Sequence, residues 1–407
     1  MNKIKNLIKQ EIKRQQKGLV MIASENYCSP EILKFIGSPL SNKYSEGYPG
    51  KRYYSGNQFI DKIESLACAE ALKMFNLSNK NWHANVQPHS GSSANLAVYL
   101  GLLKIGDKIL GMNLSQGGHL THGSPVNFSG KLFNFVSYGV NKKTETLDYK
   151  EIEKIALKEK PKMIVCGATA YSRKISFVKF SAIAKKCNAL LLADISHLAG
   201  LIVAGKHPSP FPYADIVTST THKTLGGPRS AFIICKNNLA QAIDKAIFPG
   251  LQGGPLENII AGKAACFIQA QTQQFKKIQQ QTILNAIMLA ETLNKNGLRL
   301  VSGGTDNHLL LIDLRNLEID GRQAADILAE AEIYTNANTI PFDSATPFRP
   351  SGLRIGTAAL STRGMKEKEM KLIGLWIAKI LKNPKNFKLR KRIKKEVINL
   401  TKKFPIY

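Results

Sequence analysis

The chain has six cysteines in 407 residues, Cys28, Cys68, Cys166, Cys187, Cys235 and Cys266, and no two form a Cys-x-x-Cys pair. That scarcity excludes a disulfide framework and argues against a thiolate zinc site; no metal is expected, and a reducing, cytoplasmic setting fits best. No apolar run approaches the ~18 residues that span a bilayer, so no membrane partner is expected. The N-terminal stretch breaks its apolar positions with lysines and does not read as a secretory signal. Internal repeats and low-complexity tracts are absent. Acids are scarce too: 29 Asp+Glu stand against 57 Lys+Arg, a formal net charge of +28. With 43% hydrophobic residues, the chain nevertheless has the composition of a folded protein of two domains or one large layered one.

Half of the excess charge sits at the ends. Residues 1–17 carry net +5 and residues 382–407 net +9. Such ends suit arms for nucleic acid or an anionic surface. However, Leu389, Ile393, Val397 and Leu400 recur at helical spacing, the pattern of a helix docked on a body with its lysines outward. Nucleic-acid binding through the termini is therefore not expected.

From about residue 60 to 250, helical and short β-like segments alternate. Helices are predicted over 60–75, 92–103, 149–159 (Asp148 and Glu151 forming a capping box) and 178–187, and strands over 108–112, 131–136, 163–166, 189–194, 216–218 and 231–235. This alternation predicts an α/β fold, a mostly parallel central sheet with helices on both faces. A long helical pattern over 256–294 leads to a smaller C-terminal α/β domain with strands at 308–314 and 353–356 and a helix at 321–331. The expected division is 1–55 as an N-terminal arm and substrate loop, 56–280 as the large domain and 281–407 as the small one.

Open α/β sheets place their sites at the carboxyl ends of strands, and polar clusters fall there. Lys223 follows a Ser/Thr/His string and precedes Thr224-Leu225-Gly226-Gly227-Pro228. Asp194 closes the apolar run 189–193. A Schiff-base lysine with an aspartate on a pyridinium nitrogen is the pairing that pyridoxal 5'-phosphate requires. Ser90-Gly91-Ser92 at a helix start offers N–H groups, hydroxyls and a helix dipole to a phosphate, or is an ordinary N-cap. Gly253-Gly254-Pro255, before another helix, is a second glycine-rich candidate. His119 is placed to lie over a cofactor ring or to make an ordinary loop hydrogen bond.

Segments 22–27, 42–54, 86–95, 111–114, 117–130, 221–229 and 302–308, in this order and with similar spacings, resemble serine hydroxymethyltransferase. The resemblance implies a fold-type I pyridoxal-phosphate enzyme that moves the hydroxymethyl carbon of serine to tetrahydrofolate, giving glycine and 5,10-methylenetetrahydrofolate. It implies a homodimer with a site shared between protomers. By position, Lys223 matches the cofactor lysine, with His222 beside it; Asp194 matches the pyridinium partner, His119 the stacking histidine and His197 the histidine near O3′. Ser90, Gly91 and Ser92 match the phosphate cup, with Gly253 and Gly254 reaching in from the second subunit. Thr169, Thr220 and Tyr44 are further cofactor contacts. Arg354 matches the arginine that grips the substrate carboxylate, with Ser24, Arg229 and Tyr54 nearby. Glu46 matches the carboxylate that handles a proton at the hydroxymethyl group, a task for which burial would raise its pKa. Tyr53, Leu114, Gly118, Leu120, Asn338, Thr346, Pro347 and Phe348 match positions around the folate. Thr169 replaces an expected serine, Ile195-Ser196 an expected small residue, Leu251 interrupts a glycine-rich run and Ala358 replaces a proline; none removes a chemical group. A related enzyme such as a threonine aldolase or an aminotransferase would need Lys223 and Asp194 but not the Glu46 segment.

Overall fold

A computed structural model describes all 407 residues. Its centre is a seven-stranded sheet built from β1 (Trp82–Asn85), β2 (Lys108–Met112), β3 (Asn134–Tyr138), β4 (Met163–Cys166), β5 (Leu190–Asp194), β6 (Ile216–Thr220) and β7 (Ala231–Lys236). The spatial order is β1-β7-β6-β5-β4-β2-β3. Strands β2 to β6 pair in parallel, and β7 runs antiparallel to both neighbours. Successive side chains on a strand point to opposite faces. Leu110, Ile164, Leu191, Val217 and Phe232 accordingly enter one core, and Ile109, Val165, Leu192, Ile216 and Ile233 the other. Both faces must then be covered, and helices cover them.

The second sheet is antiparallel: β8 (Arg299–Leu300), β9 (Leu309–Asp313), β10 (Asn336–Asn338) and β11 (Gly352–Gly356), in the order β8-β9-β11-β10. Its core holds Leu310, Ile312, Leu353 and Ile355 against Ile373, Ile377, Ile393 and Val397. The chain start joins this core. Leu19 pairs with Ile333 in parallel, and Leu19 and Met21 are fully buried there.

Three details differ from the sequence expectation. The strand expected over 131–136 begins at Asn134, because Asn127 caps a helix over Phe128–Leu132 that takes the preceding residues. The single long helix is two, Glu257–Ala270 and Gln273–Lys295, since the Thr272 side chain accepts from Phe275 N and starts a new N-terminus. Strand β1 had no apolar run to announce it; its Trp82 and Ala84 are buried, but His83 and Asn85 bond Asp244 instead. The helix Tyr149–Glu159 lies where its pattern puts it. Asp148 caps it by accepting from Lys150 and Glu151 N–H, without the reciprocal bond of a capping box.

Both lysine-rich ends are helices, Asn2–Lys17 and Phe387–Thr401. In the second, Ile393 and Val397 are buried and Lys388, Lys391 and Lys395 are exposed, the docked arrangement expected from their spacing. Arg363, 6% exposed, donates to the carbonyls of Gln16, Gly18, Thr401 and Phe404 at 2.8–3.1 Å, so one guanidinium satisfies the last carbonyls of both helices. No helix is long and apolar enough to cross a membrane. Arg363→Leu strands four acceptors, two of them buried (Gly18 and Thr401), and should cost about 2–4 kcal/mol in urea unfolding, whereas Lys391→Ala should change stability by less than about 0.5 kcal/mol.

Candidate active site

The carboxyl ends of the parallel strands open into one cavity of about 330 Å³. Every strand of the central sheet except β3 delivers, leads to or follows a piece of it. The turn after β1 leads to Ser90, Gly91 and Ser92; the loop after β2 carries His119 and His122; β4 is followed by Ala168 and Thr169. Asp194 ends β5, with Ser196 and His197 after it, and β6 runs into Thr220, His222 and Lys223. Arg229, just before β7, Ser24 from the chain start and Arg354 from β11 complete the lining.

Asp194 is the electrostatic centre. Its Oδ2 accepts from Asn95 Nδ2 at 3.0 Å and His122 Nε2 at 3.1 Å, and its Oδ1 from Ser196 N at 3.1 Å. His122 Nδ1 accepts from His119 N–H, which leaves the His122 proton on Nε2, facing the carboxylate. Burial by itself would raise the Asp194 carboxyl; the His122 bond and the cationic groups around it, Lys223 among them, overcome this and hold it well below the usual carboxylate range. A carboxylate kept ionised in a closed site suits a protonated pyridine nitrogen.

Lys223 is 8% exposed. Burial brings its amine down to about 8, helped by Arg354 and Arg229 and opposed by Asp194, so the neutral, nucleophilic form is far more abundant near physiological pH than for a free lysine, although the protonated form still predominates. The histidines are neutral for the same reason: burial lowers His119 to about 4 and His222 to about 3, and His197 well below its ordinary value. His197 Nε2 meets Thr169 Oγ1 at 3.0 Å, and its Nδ1 meets His308 Nε2 at 3.2 Å, with the two rings stacked.

Ser90 caps the helix Gly91–Leu102: its Oγ accepts from Ser93 N, and Ser93 Oγ accepts from Ser90 N in return. A Cβ at Gly91 would lie 2.8 Å from the Thr220 methyl, so only glycine fits between the helix start and β6. Arg354 Nε donates to Asn336 Oδ1 at 3.0 Å and Nη1 to the Thr169 carbonyl at 2.8 Å; Nη2 has no protein partner and stays available to a carboxylate. Burial lowers Arg354 to about 10, which leaves it charged. An amine, an ionised carboxylate, an anion-binding helix start and a guanidinium in one cavity match the aldehyde, ring nitrogen, phosphate and amino-acid substrate of pyridoxal-phosphate chemistry.

A second group of expected residues forms its own cluster outside this lining. Tyr44 Oη donates to Glu46 Oε1 at 2.8 Å, and Tyr44 packs edge-on against Tyr54. A Cβ at Gly253 would come within 3.0 Å of Glu46 Oε1, and one at Gly254 within 2.9 Å of the Tyr44 ring. Tyr44, Tyr53 and Tyr54 are 52%, 75% and 48% exposed: an aromatic and acidic surface projects outward. Glu46 is half-buried rather than enclosed. Leu114 and Leu120 are exposed on the loop after β2; Gly118 there has no room for a side chain, a Cβ falling 2.0 Å from the Met112 carbonyl. Asn338 lies on β10, and Thr346, Pro347 and Phe348 form an exposed loop in which Phe348 is 90% exposed. Sequence reasoning missed Asn95, His122 and Ser196. A buried asparagine inside a helix and a histidine three residues after His119 were the available signals.

A model of the family described as "Serine hydroxymethyltransferase" matches residues 1–377. Curated relatives of the same name agree over nearly the whole length. That of Methanosarcina barkeri is 55% identical over 98% of this chain and 96% of its own; that of Mycoplasma mycoides is 54% identical over 99% and 97%; that of Mycoplasma capricolum is 53% identical over 100% and 97%. With the cavity's lysine, aspartate and arginine in place, the chain belongs to the serine hydroxymethyltransferase family, pyridoxal-phosphate enzymes that transfer the hydroxymethyl carbon of serine to tetrahydrofolate.

Proposed function

We propose that the family reaction runs in the cavity between β5, β6 and β11, completed by residues 44–54 of a second copy of the chain in a cytoplasmic homodimer. The observation that carries this is the convergence of Lys223, Asp194 and Arg354 on one enclosed space from three separate strands. In this reading, residues 56–280 form the cofactor domain, 281–407 the small domain and 1–55 the arm that reaches the neighbouring site.

Pyridoxal phosphate, when bound, supplies a protonated ring that withdraws electrons from the bonds at the amino acid's Cα. Lys223 is the amine that would hold the cofactor's aldehyde, and its buried position would keep an amine beside the substrate. Asp194 keeps the proton on the ring nitrogen. Ser90, Ser92 and the N–H groups at the helix start bind the phosphate, joined by Tyr44, Gly253 and Gly254 of the second copy. His119, neutral by burial, would contribute its ring face to the cofactor's pocket, with Thr169, His197, Thr220 and His222 the further lining groups that would hold the cofactor. Arg354 takes the substrate carboxylate in a planar grip that orients the bond to be broken, with Ser24, Arg229 and Tyr54 around it. Glu46 exchanges a proton with the serine hydroxyl. Tyr53, Leu114, Gly118, Leu120, Asn338 and the 346–348 loop receive the folate.

Lys223→Ala should abolish both the cofactor's visible absorbance and serine cleavage; retention of either in purified protein rules out the assignment. For Glu46→Gln, folate-dependent turnover should fall about 10²–10⁴-fold, the range of one general acid–base group, with glycine binding unchanged in a titration. The rate at which cofactor-free protein captures pyridoxal phosphate should rise with pH and level off above about 8, where Lys223 loses its proton. Because Arg354 lowers the lysine, Arg354→Gln should move that rise to higher pH, and it should raise the KM for serine by at least about tenfold; stopped-flow capture rates and steady-state kinetics check both.

A further inference from the structure

The segment that bears Glu46 is held by a buried charge cluster that takes no part in lining the cavity. Arg52 lies at its centre, its side chain 4% exposed. Its Nε donates to Asp61 at 2.8 Å and its Nη2 to Glu64 at 2.6 Å, the Glu64 side chain being 2% exposed. Its Nη1 donates to the carbonyls of Ser45 at 2.8 Å and Gly47 at 2.9 Å, the two residues that flank Glu46. The Glu46 carbonyl itself accepts from Tyr53 N at 3.1 Å. Gln87 Nε2 closes the cluster by donating to the Gly47 carbonyl at 2.9 Å and to Glu64 Oε1 at 2.8 Å.

Three successive carbonyls are thereby engaged around one side chain. Gly47 makes the turn at φ +97°, where a Cβ would fall 2.3 Å from the Lys51 carbonyl, so only glycine fits this turn. With both neighbours pinned, the Glu46 side chain leaves the chain in a fixed direction, and Tyr44 Oη holds its carboxylate. A planar guanidinium can make these four contacts together; a lysine ammonium lacks the reach and the fixed fork. So enclosed an ion pair loses much of its attraction to desolvation, so stability alone is a weak reason for it. We propose that Arg52, braced by Glu64 and Gln87, is a positioning residue that aims the Glu46 carboxylate into the neighbouring subunit's site. This rests on the reading that Glu46 serves that site.

The test uses mixed dimers of the holoenzyme. Arg52→Lys should assemble and bind pyridoxal phosphate normally, with kcat for folate-dependent serine cleavage down at least about tenfold and the KM for serine changed by less than about twofold. Mixed one to one with Lys223→Ala subunits, half of the dimers pair an intact Lys223 with an intact 44–54 segment from the other chain. Activity should then return to about a quarter of the unmutated enzyme's. Glu46→Gln, treated identically, is the control. If it recovers on mixing and Arg52→Lys does not, Arg52 acts within its own subunit and the proposal is overturned while the Glu46 reading stands. Normal turnover in Glu46→Gln, or no recovery on mixing, removes the reading and the proposal with it. Should Arg52→Lys fail to assemble, Gln87→Ala, which removes one bond to the Gly47 carbonyl and one to Glu64 while leaving Arg52 in place, decides between the same outcomes.

Discussion

A carboxylate cannot stay ionised inside a protein unless several donors face it, and Asp194 sits at the end of the central β5 strand with that requirement unmet by its own segment. Its own turn supplies only the Ser196 amide; the other donors come from elsewhere, Asn95 from the helix after β1 and His122 from the loop after β2. Asn95 is itself fixed by Thr121, at 2.9 Å, and by Thr218 on β6, at 2.7 Å. One buried charge thus ties β5, β6, the loop after β2 and the helix Gly91–Leu102 together. The same donors leave the carboxylate ionised and directed at the cavity, which is the state a pyridinium partner needs.

The second sheet enters the site through a single side chain. Arg354, in the middle of β11, spans from Asn336 on the neighbouring β10 to the Thr169 carbonyl after β4. It therefore belongs to one core by its backbone and to the other by its hydrogen bonds. Around it, the loop after β4 and the second sheet are laced together by Ser172 with Ser302 and Gly304 and by Arg173 with Asp306. The distance between the carboxylate grip and the reactive lysine is consequently a property of how the two sheets dock, and the His197–His308 stack lies in that same seam.

The large positive charge has a plainer structural account than its size invites. The two lysine-rich ends are neighbouring helices whose last carbonyls share Arg363, and in the C-terminal one the apolar positions are inward and the lysines outward. In the proposed reading, the reaction's own anions, a phosphate and carboxylates, need only a few buried cations and a helix start, not the surface excess.

Much of the fold was legible in the chain itself. Alternating runs such as residues 163–166 and 189–194 mark buried parallel strands, because residues covered on both faces are continuously apolar; Lys223 and Asp194 stand in a pattern whose chemistry suggests their pairing, while Ser90 and Arg354 take their roles from the family resemblance. The polar strand β1 and the break at Thr272 were not legible, since each depends on partners distant in sequence or on a local capping bond. Nor could any spacing foretell that Asn95 and His122 would meet Asp194, or that Arg52 would clasp the carbonyls on either side of Glu46. The amino-acid sequence by itself determined the sheet class, the reactive groups and the family. Tertiary structure decided which groups share one cavity, how far burial moves Lys223, and that residues 44–54 lie outside that cavity's lining, because each of these is set by long-range packing and desolvation that no local pattern encodes.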